Sequence, residues 1–280
     1  MGVFSGCLLA SDFDGTLADS KGMIPEEVRK AIKYFTLNGG LFTVCTGRTK
    51  QGFHAFDKEL MNAPVLLANG AMAYEYTQEE TVFVNGINEE SRDTLEYIKN
   101  NYSDIGIELY GADFSSWVIT PHERNISHFE HQSIKYTVTD EIPESVFPAV
   151  KVMISVGKDR CMDFQKFLDT SPMGKLKYIP QYGDFIEIIS KNTDKGTGLL
   201  RLAKAYNIEP SHVYAIGDGA NDVTMLKAAA VGFVPANGDE YAKNAGDVFV
   251  KSNDEFAVAD AIYKIEAILK GDTEVKNESN

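Results

Sequence analysis

The sequence predicts an α/β fold in which an α+β insert interrupts a parallel-sheet core. Near both ends of the chain, short apolar runs that stop at glycine or polar residues alternate with helical patterns. This alternation is typical of strands that are buried on both faces of a parallel sheet. From about Tyr74 the rhythm changes to shorter stretches of alternating polarity, and the first rhythm resumes after Ile189. We therefore expect one α/β domain that is split by an insert of about a hundred residues.

The first part of the core is predicted to contain three strands. The apolar run Cys7–Phe13 predicts the first strand, and apolar residues at helical spacing predict a helix from about Pro25 to Gly39. The runs Leu41–Thr46 and Val65–Ala68 predict two more strands, with a second helix between them. Strand and helix thus alternate, as they do in βαβ units.

The insert combines helices and strands without the alternation of the core. Helices are expected over Arg92–Asn100 and Met162–Leu168, and strands over Trp117–Thr120 and Lys151–Val156. The three histidines within residues 122–131 fit no standard zinc spacing, so we expect them on a solvated surface. The insert is therefore predicted to be α+β.

The second part of the core resumes the alternation of helix and strand. We expect helices over Gly198–Tyr206 and Asp222–Ala229, and strands over Val213–Ile216 and Val231–Val234. A last amphipathic helix is expected to end at Gly271.

The composition indicates a packed globular protein and argues against two classes of partner. Hydrophobic residues make up 44% of the 280 residues, and the formal net charge of −14 disfavours binding to nucleic acid or to anionic membranes. The cysteines Cys7, Cys45 and Cys161 show no metal-binding spacing and are expected to be reduced. We find neither a signal peptide nor a run of about 20 apolar residues, so we expect a cytoplasmic location.

Two aspartates follow the first predicted strand, Asp12 and Asp14 in the segment D-F-D-G-T. Side chains two residues apart on a strand share a face, so two carboxylates this close need a cation or a shared proton. The pair is therefore a divalent-metal site, an acid/base dyad or, because Asp and Gly form turns, a solvated turn.

A second candidate is the segment G-D-G-A-N-D at Gly217–Asp222, between a predicted strand and a predicted helix. Its glycines permit close backbone approach, and a helix N-terminus favours anions. Asp218 and Asp222 suit a hard cation that prefers oxygen ligands. The alternative is a helix cap, in which Asn221 or Asp222 accepts hydrogen bonds from the first-turn amides.

Two weaker signals complete the set. Thr46-Gly47-Arg48 follows the second strand, where a hydroxyl and backbone amides could hold a phosphate oxygen, and Lys195 supplies a positive charge before a helix. Taken singly, the threonine is explained as a cap and the lysine as a solvated side chain. All four segments are nonetheless expected at strand carboxyl ends or helix starts of one sheet, where open α/β sheets bind ligands.

In this order the segments D-F-D-G-T, T-G-R, D-K-G-T-G and G-D-G-A-N-D resemble the four motifs of the haloacid dehalogenase superfamily of phosphatases. The long stretch between Thr46 and Lys195 leaves room there for the cap domain of the family, a layout that resembles the Cof-like branch, as does Asn69-Gly70-Ala71. The resemblance implies a Rossmann-like parallel-sheet core with an inserted α+β cap domain.

The resemblance also implies domain bounds. Residues 1–82 and 188–270 would form the two core segments, and residues 83–187 the cap domain. Residues 271–280 are polar throughout and are expected to form a disordered tail.

Residue roles follow from the same resemblance. Asp12 would be the nucleophile and Asp14 the acid/base, and Asp12, the backbone carbonyl of Asp14 and Asp218 would hold Mg²⁺. Asp222 would orient Lys195 or a metal-bound water. The phosphate oxygens would be bound by four residues: Thr46, Gly47, Lys195 and Asn221. Arg48 could contact substrate or brace a neighbouring loop.

The expected function is Mg²⁺-dependent hydrolysis of small phosphorylated metabolites, such as sugar phosphates, through an aspartyl-phosphate intermediate. Two alternatives stay open. The chain could be a phosphotransferase or phosphomutase that resembles phosphomannomutases, or it could bind phosphorylated metabolites without turnover. The pattern specifies no oligomeric state.

Overall fold

The computed structural model describes residues 2–53, 58–157, 160–171, 176–180 and 185–272. The chain divides into two compact units. The first unit comprises Met1–Gly47, Asp57–Val82 and Asp194–Asn280, and the second comprises Arg48–Phe56 and Phe83–Thr193. Most of the tail that is expected to be disordered, residues 273–280, lies outside the described residues.

Strands and helices alternate along much of the described chain. The strands are β1 (Leu8–Ser11), β2 (Leu41–Val44), β3 (Val65–Leu67), β4 (Met72–Glu75), β5 (Glu80–Val84), β6 (Gly106–Gly111), β7 (Ser116–Ile119), β8 (Thr137–Thr139), β9 (Ala149–Ser155), β10 (Lys177–Pro180), β11 (Phe185–Ile189), β12 (Val213–Ile216), β13 (Val231–Pro235) and β14 (Val248–Val250). The α-helices are α1 (Glu26–Leu37), α2 (Arg92–Asn101), α3 (Glu123–His131), α4 (Cys161–Thr170), α5 (Lys195–Ala205), α6 (Val223–Ala228), α7 (Glu240–Lys243) and α8 (Ala257–Leu269).

A parallel sheet with the strand order β14-β13-β12-β1-β2 forms the centre of the first unit. All residues of β1 are buried, as expected for a central strand of a parallel sheet. The pairing aligns Ser11 of β1 with Val44 of β2 and with Ile216 of β12. Because the three strands are parallel, the residues that follow them lie at the same edge of the sheet.

The helices of the first unit bury the apolar faces that the sequence predicts. Val28 and Ile32 of α1 are buried, as are Ile262 and Ile265 of α8, and the two helices pack against each other. Full burial of one such side chain contributes about 1.5–3 kcal/mol, so this packing holds the helices in place.

A small sheet with the order β3-β4-β5 extends the first unit beyond β2. Cys45 forms a parallel bridge with Leu66 of β3, and the Thr46 amide donates a hydrogen bond to the Leu66 carbonyl at 2.9 Å. The turn that follows β3 therefore lies beside Thr46.

The second unit is built on a sheet with the order β10-β11-β9-β6-β7-β8, in which β7 and β8 are parallel and the other described pairs are antiparallel. Ile107 of β6 and Ile154 of β9 belong to one hydrophobic cluster with Leu95 of α2 and Phe164 of α4. An apolar sheet face covered by helices is the α+β arrangement that the sequence predicts.

A buried polar network links β6 to α3. Glu108 is fully buried and accepts hydrogen bonds from the Tyr110 hydroxyl at 2.8 Å and from Asn125 Nδ2 at 2.9 Å. His128 Nδ1 lies 2.9 Å from the same carboxylate, and the His128 side chain is 18% exposed. The expectation of a solvated histidine surface is therefore wrong for His128. The physical reason is that a buried carboxylate needs hydrogen-bond partners, and His128 lies within hydrogen-bond distance of it.

Two predicted elements differ from the structure. The helix expected between β2 and β3 falls partly on residues 54–57, outside the described residues, and the described part contains a 3₁₀ turn at Lys58–Leu60. The helix expected from Gly198 begins at Lys195 instead. Within the described ranges, every helix is too short or too polar to cross a membrane.

Candidate active site

Asp12 lies immediately after β1 and is almost completely buried. Its backbone amide donates to the Ile216 carbonyl at 2.9 Å, which ties it to the neighbouring strand β12. Its Oδ1 accepts from the Phe13 amide at 2.7 Å and contacts Lys195 Nζ at 2.7 Å. Within the described part of the chain, no donor is bonded to Oδ2. One carboxylate oxygen is thus anchored and the other remains available for chemistry.

Lys195 is the first residue of α5, and its side chain is fully buried. The helix begins here because Asp194 is its N-cap: the Asp194 carboxylate accepts from the Thr197 amide at 2.8 Å, and the Thr197 hydroxyl accepts from the Asp194 amide at 2.9 Å. The Lys195 ammonium lies between two carboxylates, 2.7 Å from Asp12 and 2.6 Å from Asp222.

Both carboxylate oxygens of Asp222 are engaged. Oδ1 contacts the Lys195 ammonium, while Oδ2 accepts from the backbone amides of Asp218 at 3.0 Å and Gly219 at 2.9 Å. Asp222 therefore holds the loop after β12 and the lysine in one arrangement. These contacts fit the predicted role of Asp222, which is to orient Lys195.

Asp218 approaches the turn after β1. Its Oδ1 accepts from the Thr16 hydroxyl at 2.5 Å. Gly15 has a φ of +77°, and a Cβ atom there would lie 2.5 Å from Asp218 Oδ2. Both the backbone conformation and this close approach therefore require glycine at position 15.

Burial and mutual repulsion shift the pKa values of these groups. Burial raises the pKa of Asp12 well above its usual value, Asp222 and Asp218 raise it further, and Lys195 opposes the shift. Burial also raises the pKa of Asp218 to about 6. Burial alone would lower the pKa of Lys195, but Asp12 and Asp222 raise it, so the lysine is charged.

Divalent-metal binding fits this set of donors. One oxygen each of Asp12, Asp218 and Asp222 lie within 4.8 Å of one another. Since both oxygens of Asp222 already accept hydrogen bonds, Asp12 and Asp218 are the better ligands. Carboxylate oxygens suit a hard cation such as Mg²⁺, whose charge would favour the ionised carboxylates against burial and mutual repulsion.

Asp14 is exposed, unlike Asp12, although the two are only two residues apart. Because β1 ends at Ser11, the alternation of strand side chains does not continue to Asp14, which lies in a tight turn over Phe13–Leu17 with φ −74° and ψ 123°. The Asp14 carboxylate is not part of the cluster of three carboxylates found among the described residues. The Asp14 side chain is therefore accessible from the surface.

The remaining predicted phosphate ligands lie near the same sheet edge. Thr46 is buried beside β3, and a Cβ at Gly47 would lie 3.3 Å from Asn69 Oδ1. Asn221 Nδ2 donates to the same Asn69 oxygen at 3.1 Å. The structure thus brings Gly47 and Asn221 together through Asn69, a residue that the sequence analysis did not assign to the site. Its signal was an asparagine at a strand end, a position where asparagine favours a left-handed turn.

Arg48 belongs to the second unit. Its Nη1 donates a hydrogen bond to the Gly52 carbonyl at 3.3 Å. Of the two alternatives for this residue, the contact favours bracing of its own loop.

Comparisons with known proteins identify the family. A family model described as haloacid dehalogenase-like hydrolase matches residues 9–262. The chain belongs to the haloacid dehalogenase-like hydrolase family. It is similar to a solved haloacid dehalogenase-like hydrolase from Bacteroides thetaiotaomicron, with a TM-score of 0.82, 24% identity, and coverage of 92% of this chain and 99% of that one.

Two curated relatives match most of the chain. It is 26% identical over 290 residues to the 5-amino-6-(5-phospho-D-ribitylamino)uracil phosphatase YwtE of Bacillus subtilis, covering 94% of this chain and 98% of that protein. It is 30% identical over 276 residues to the chloroplastic endoribonuclease YBEY of Arabidopsis thaliana. That match covers 90% of this chain but only 45% of the relative, so more than half of the relative has no counterpart here.

The predicted superfamily with its Cof-like branch and the predicted α/β fold are confirmed. The prediction that the chain is an enzyme, a phosphoric monoester hydrolase, is confirmed as well. The individual residue roles stay predictions.

Proposed function

We propose that this enzyme is a Mg²⁺-dependent phosphatase of small phosphorylated metabolites that uses Asp12 as its nucleophile. The observation that carries the proposal is the asymmetry of Asp12: Oδ1 is anchored by the Phe13 amide and by Lys195, and Oδ2 accepts no hydrogen bond from the described residues. A carboxylate fixed in this way is positioned for attack without further ordering.

The proposed reaction has two steps. In the first, Asp12 Oδ2 attacks phosphorus, the bond from phosphorus to the leaving oxygen breaks, and Asp14 donates its proton to that oxygen. In the second, Asp14 takes a proton from water as the water attacks the aspartyl phosphate, which releases inorganic phosphate and restores Asp12. The exposed position of Asp14 supports this role, because both the leaving group and water arrive from solvent.

Positive charge and hydrogen-bond donors would stabilise the phosphoryl group in the transition state. Bound Mg²⁺ would supply Lewis-acid neutralisation of the phosphoryl oxygens, held by Asp12, Asp218 and the backbone carbonyl of Asp14. The protein donors would be the Thr46 hydroxyl, the Gly47 amide, the Lys195 ammonium and the Asn221 amide. Removal of one such donor costs about 2.7–4 kcal/mol of barrier in a measured case, so each matters for the rate.

The proposed substrate class is phosphate monoesters of small polyols and sugars. The name of the Bacillus subtilis relative describes a phosphorylated ribityl compound, in which the phosphate is carried by a sugar alcohol chain. The cap role of residues 83–187, the domain bounds and the cytoplasmic location stay predictions from the sequence.

A phosphatase panel tests the proposal. The purified chain is incubated with p-nitrophenyl phosphate and with sugar phosphates, with Mg²⁺ or with EDTA, and released phosphate is measured. We expect phosphate release with Mg²⁺ and its loss with EDTA; no metal-dependent release from any substrate contradicts the proposal. An isomerised sugar phosphate with little free phosphate would identify a phosphomutase instead.

Substitutions test the two catalytic roles. Asp12→Asn and Asp14→Asn should each reduce turnover to background, whereas Asp140→Asn at an exposed position of the second unit should leave it unchanged. Mass spectrometry of the acid-quenched wild-type reaction should detect one added phosphoryl group on the peptide that contains Asp12. Normal turnover in either catalytic variant contradicts the role of that residue.

A further inference from the structure

The turn that follows β3 has three consecutive residues in the left-handed region, Ala68 at φ 49°, Asn69 at φ 54° and Gly70 at φ 86°. This conformation is unfavourable for residues other than glycine and persists only where neighbouring structure holds it. Here the Asn69 amide donates to the Thr46 carbonyl at 2.9 Å, and the Gly70 amide donates to the Leu67 carbonyl at 3.0 Å. The turn is therefore fixed to the segment that contains Thr46.

The same turn packs against the segment that leads into α5. A Cβ atom at Gly70 would lie 2.4 Å from the Asp194 carbonyl oxygen and 3.3 Å from the Gly198 Cα. This contact leaves no space for a side chain at position 70. The turn thus lies between the Thr46 segment and the start of the helix that carries Lys195.

Asn69 adds a side-chain link to the loop after β12. The residue is 2% exposed, and its Oδ1 accepts a hydrogen bond from Asn221 Nδ2 at 3.1 Å. An amide nitrogen carries two hydrogens in one plane, so a hydrogen bond through one of them sets the direction of the other. With the first N–H of Asn221 bonded to Asn69, the second can be donated to a phosphate oxygen.

We infer that Asn69 is a positioning residue, which orients the Asn221 amide toward the phosphoryl group and holds the Thr46-Gly47 segment beside it. This inference rests on the proposed function, because it concerns the phosphate ligands of the same site. The side chain of Asn69 acts on the rate through Asn221. Its backbone amide, which holds Thr46, is kept in both substitutions described below.

Two substitutions remove the side-chain amide of Asn69. Asn69→Gly eases the left-handed backbone, and Asn69→Ala keeps a Cβ atom, which Ala68 already tolerates in the same conformation. We expect both variants to lower kcat for p-nitrophenyl phosphate about 10- to 100-fold, by analogy with removal of a hydrogen-bond partner that orients a metal ligand. Agreement between the two variants assigns the loss to the amide and not to the backbone, and if one does not fold the other is measured alone.

A double-mutant cycle with Asn221→Ala separates positioning from a merely structural effect. If Asn69 acts through Asn221, the double variant should be no slower than Asn221→Ala alone, so the two losses are not multiplicative. Multiplicative losses, or an unchanged kcat in the Asn69 variants, overturn the inference.

Asn207 provides the matched control. It has a φ of 53° and is exposed beyond the opposite end of α5 from Lys195. Asn207→Gly and Asn207→Ala make the same chemical changes in the same backbone conformation and should leave kcat unchanged. If the wild-type chain releases no phosphate from any substrate, the proposed function fails; an active wild type with fully active Asn69 variants refutes only the positioning role.

Discussion

Substitution of Lys195 by methionine should destabilise the fold in addition to abolishing activity. The Lys195 ammonium is fully buried and contacts Asp12 at 2.7 Å and Asp222 at 2.6 Å. Lys195→Met has a similar length and leaves both carboxylates without their shared cation in a buried site. Removal of one partner of a buried ion pair costs about 3–5 kcal/mol, because the remaining charge is left uncompensated.

This magnitude is large enough to measure directly. A change of 1 kcal/mol shifts the melting temperature of a protein of this size class by about 2–4 °C, so Lys195→Met should lower it by about 6–20 °C. Urea unfolding followed by circular dichroism provides a second measurement of the same loss. Both are made in EDTA, so that bound metal cannot replace the missing charge.

Two further variants test whether Lys195 stabilises the fold by compensating buried charge. Asp222→Asn combined with Lys195→Met removes one of the two carboxylate charges that Lys195→Met leaves without a cation. The double variant should therefore recover part of the lost stability. Lys270→Met is the matched control, since Lys270 contacts Glu266 at 2.6 Å on the surface, where an ion pair contributes little. A Lys195→Met variant that unfolds at the same urea concentration as the wild type would contradict the argument that this lysine compensates buried charge.

Three other measurements test separate parts of the structure. Gly15→Ala and Gly22→Ala both place alanine at a positive φ, which costs about 1–2 kcal/mol. In urea unfolding, Gly15→Ala should lose more stability than Gly22→Ala, because only a Cβ at position 15 would lie 2.5 Å from Asp218 Oδ2. Equal losses of stability would contradict this close approach. Mg²⁺ at about 100 times its Kd should stabilise the wild type by about 2.7 kcal/mol in a thermal melt, and Asp218→Asn should abolish most of that gain. Glu108→Gln should destabilise the second unit by about 1–3 kcal/mol, because an amide cannot accept from all three donors, whereas exposed Glu130→Gln should melt like the wild type.

The position of the site could be predicted from the sequence because parallel strands define it. Once β1, β2 and β12 are recognised as neighbours in one sheet, the residues after each strand must lie at one edge. Asp12, Thr46 and Asp218 are therefore placed by topology alone. Side-chain detail was not needed for that step.

The start of α5 shows where local reasoning was incomplete. Apolar periodicity marks the helix only from Gly198, but the reciprocal hydrogen bonds of Asp194 and Thr197 begin it at Lys195. The sequence does contain one recognised signal for this start, because aspartate is a favoured N-cap residue. The cap places Lys195 in the first turn of the helix, where it contacts Asp12 and Asp222.

Contacts between distant segments could not be predicted. Asn69 and Asn221 are 152 positions apart, and Glu108 meets His128 only because α3 packs on β6. Neither pair follows from periodicity or composition, since each depends on how completed elements pack. Uncharged residues such as Asn69 also lack the electrostatic signal that made the aspartates candidates.

The charge balance of the site explains why these residues favour a divalent cation. Asp12, Asp218 and Asp222 with Lys195 place three carboxylates around one ammonium, which leaves two negative charges uncompensated when all are ionised. Without a cation, a phosphate dianion would be repelled from this site. Burial raises the pKa of Asp12 well above its usual value and that of Asp218 to about 6, and neighbouring carboxylates raise both further. A divalent cation would balance the two charges, favour the ionised form that the proposed attack by Asp12 requires, and attract phosphate. The proposed metal binding and the proposed nucleophilic attack both use Asp12, so Asp12→Asn should weaken both.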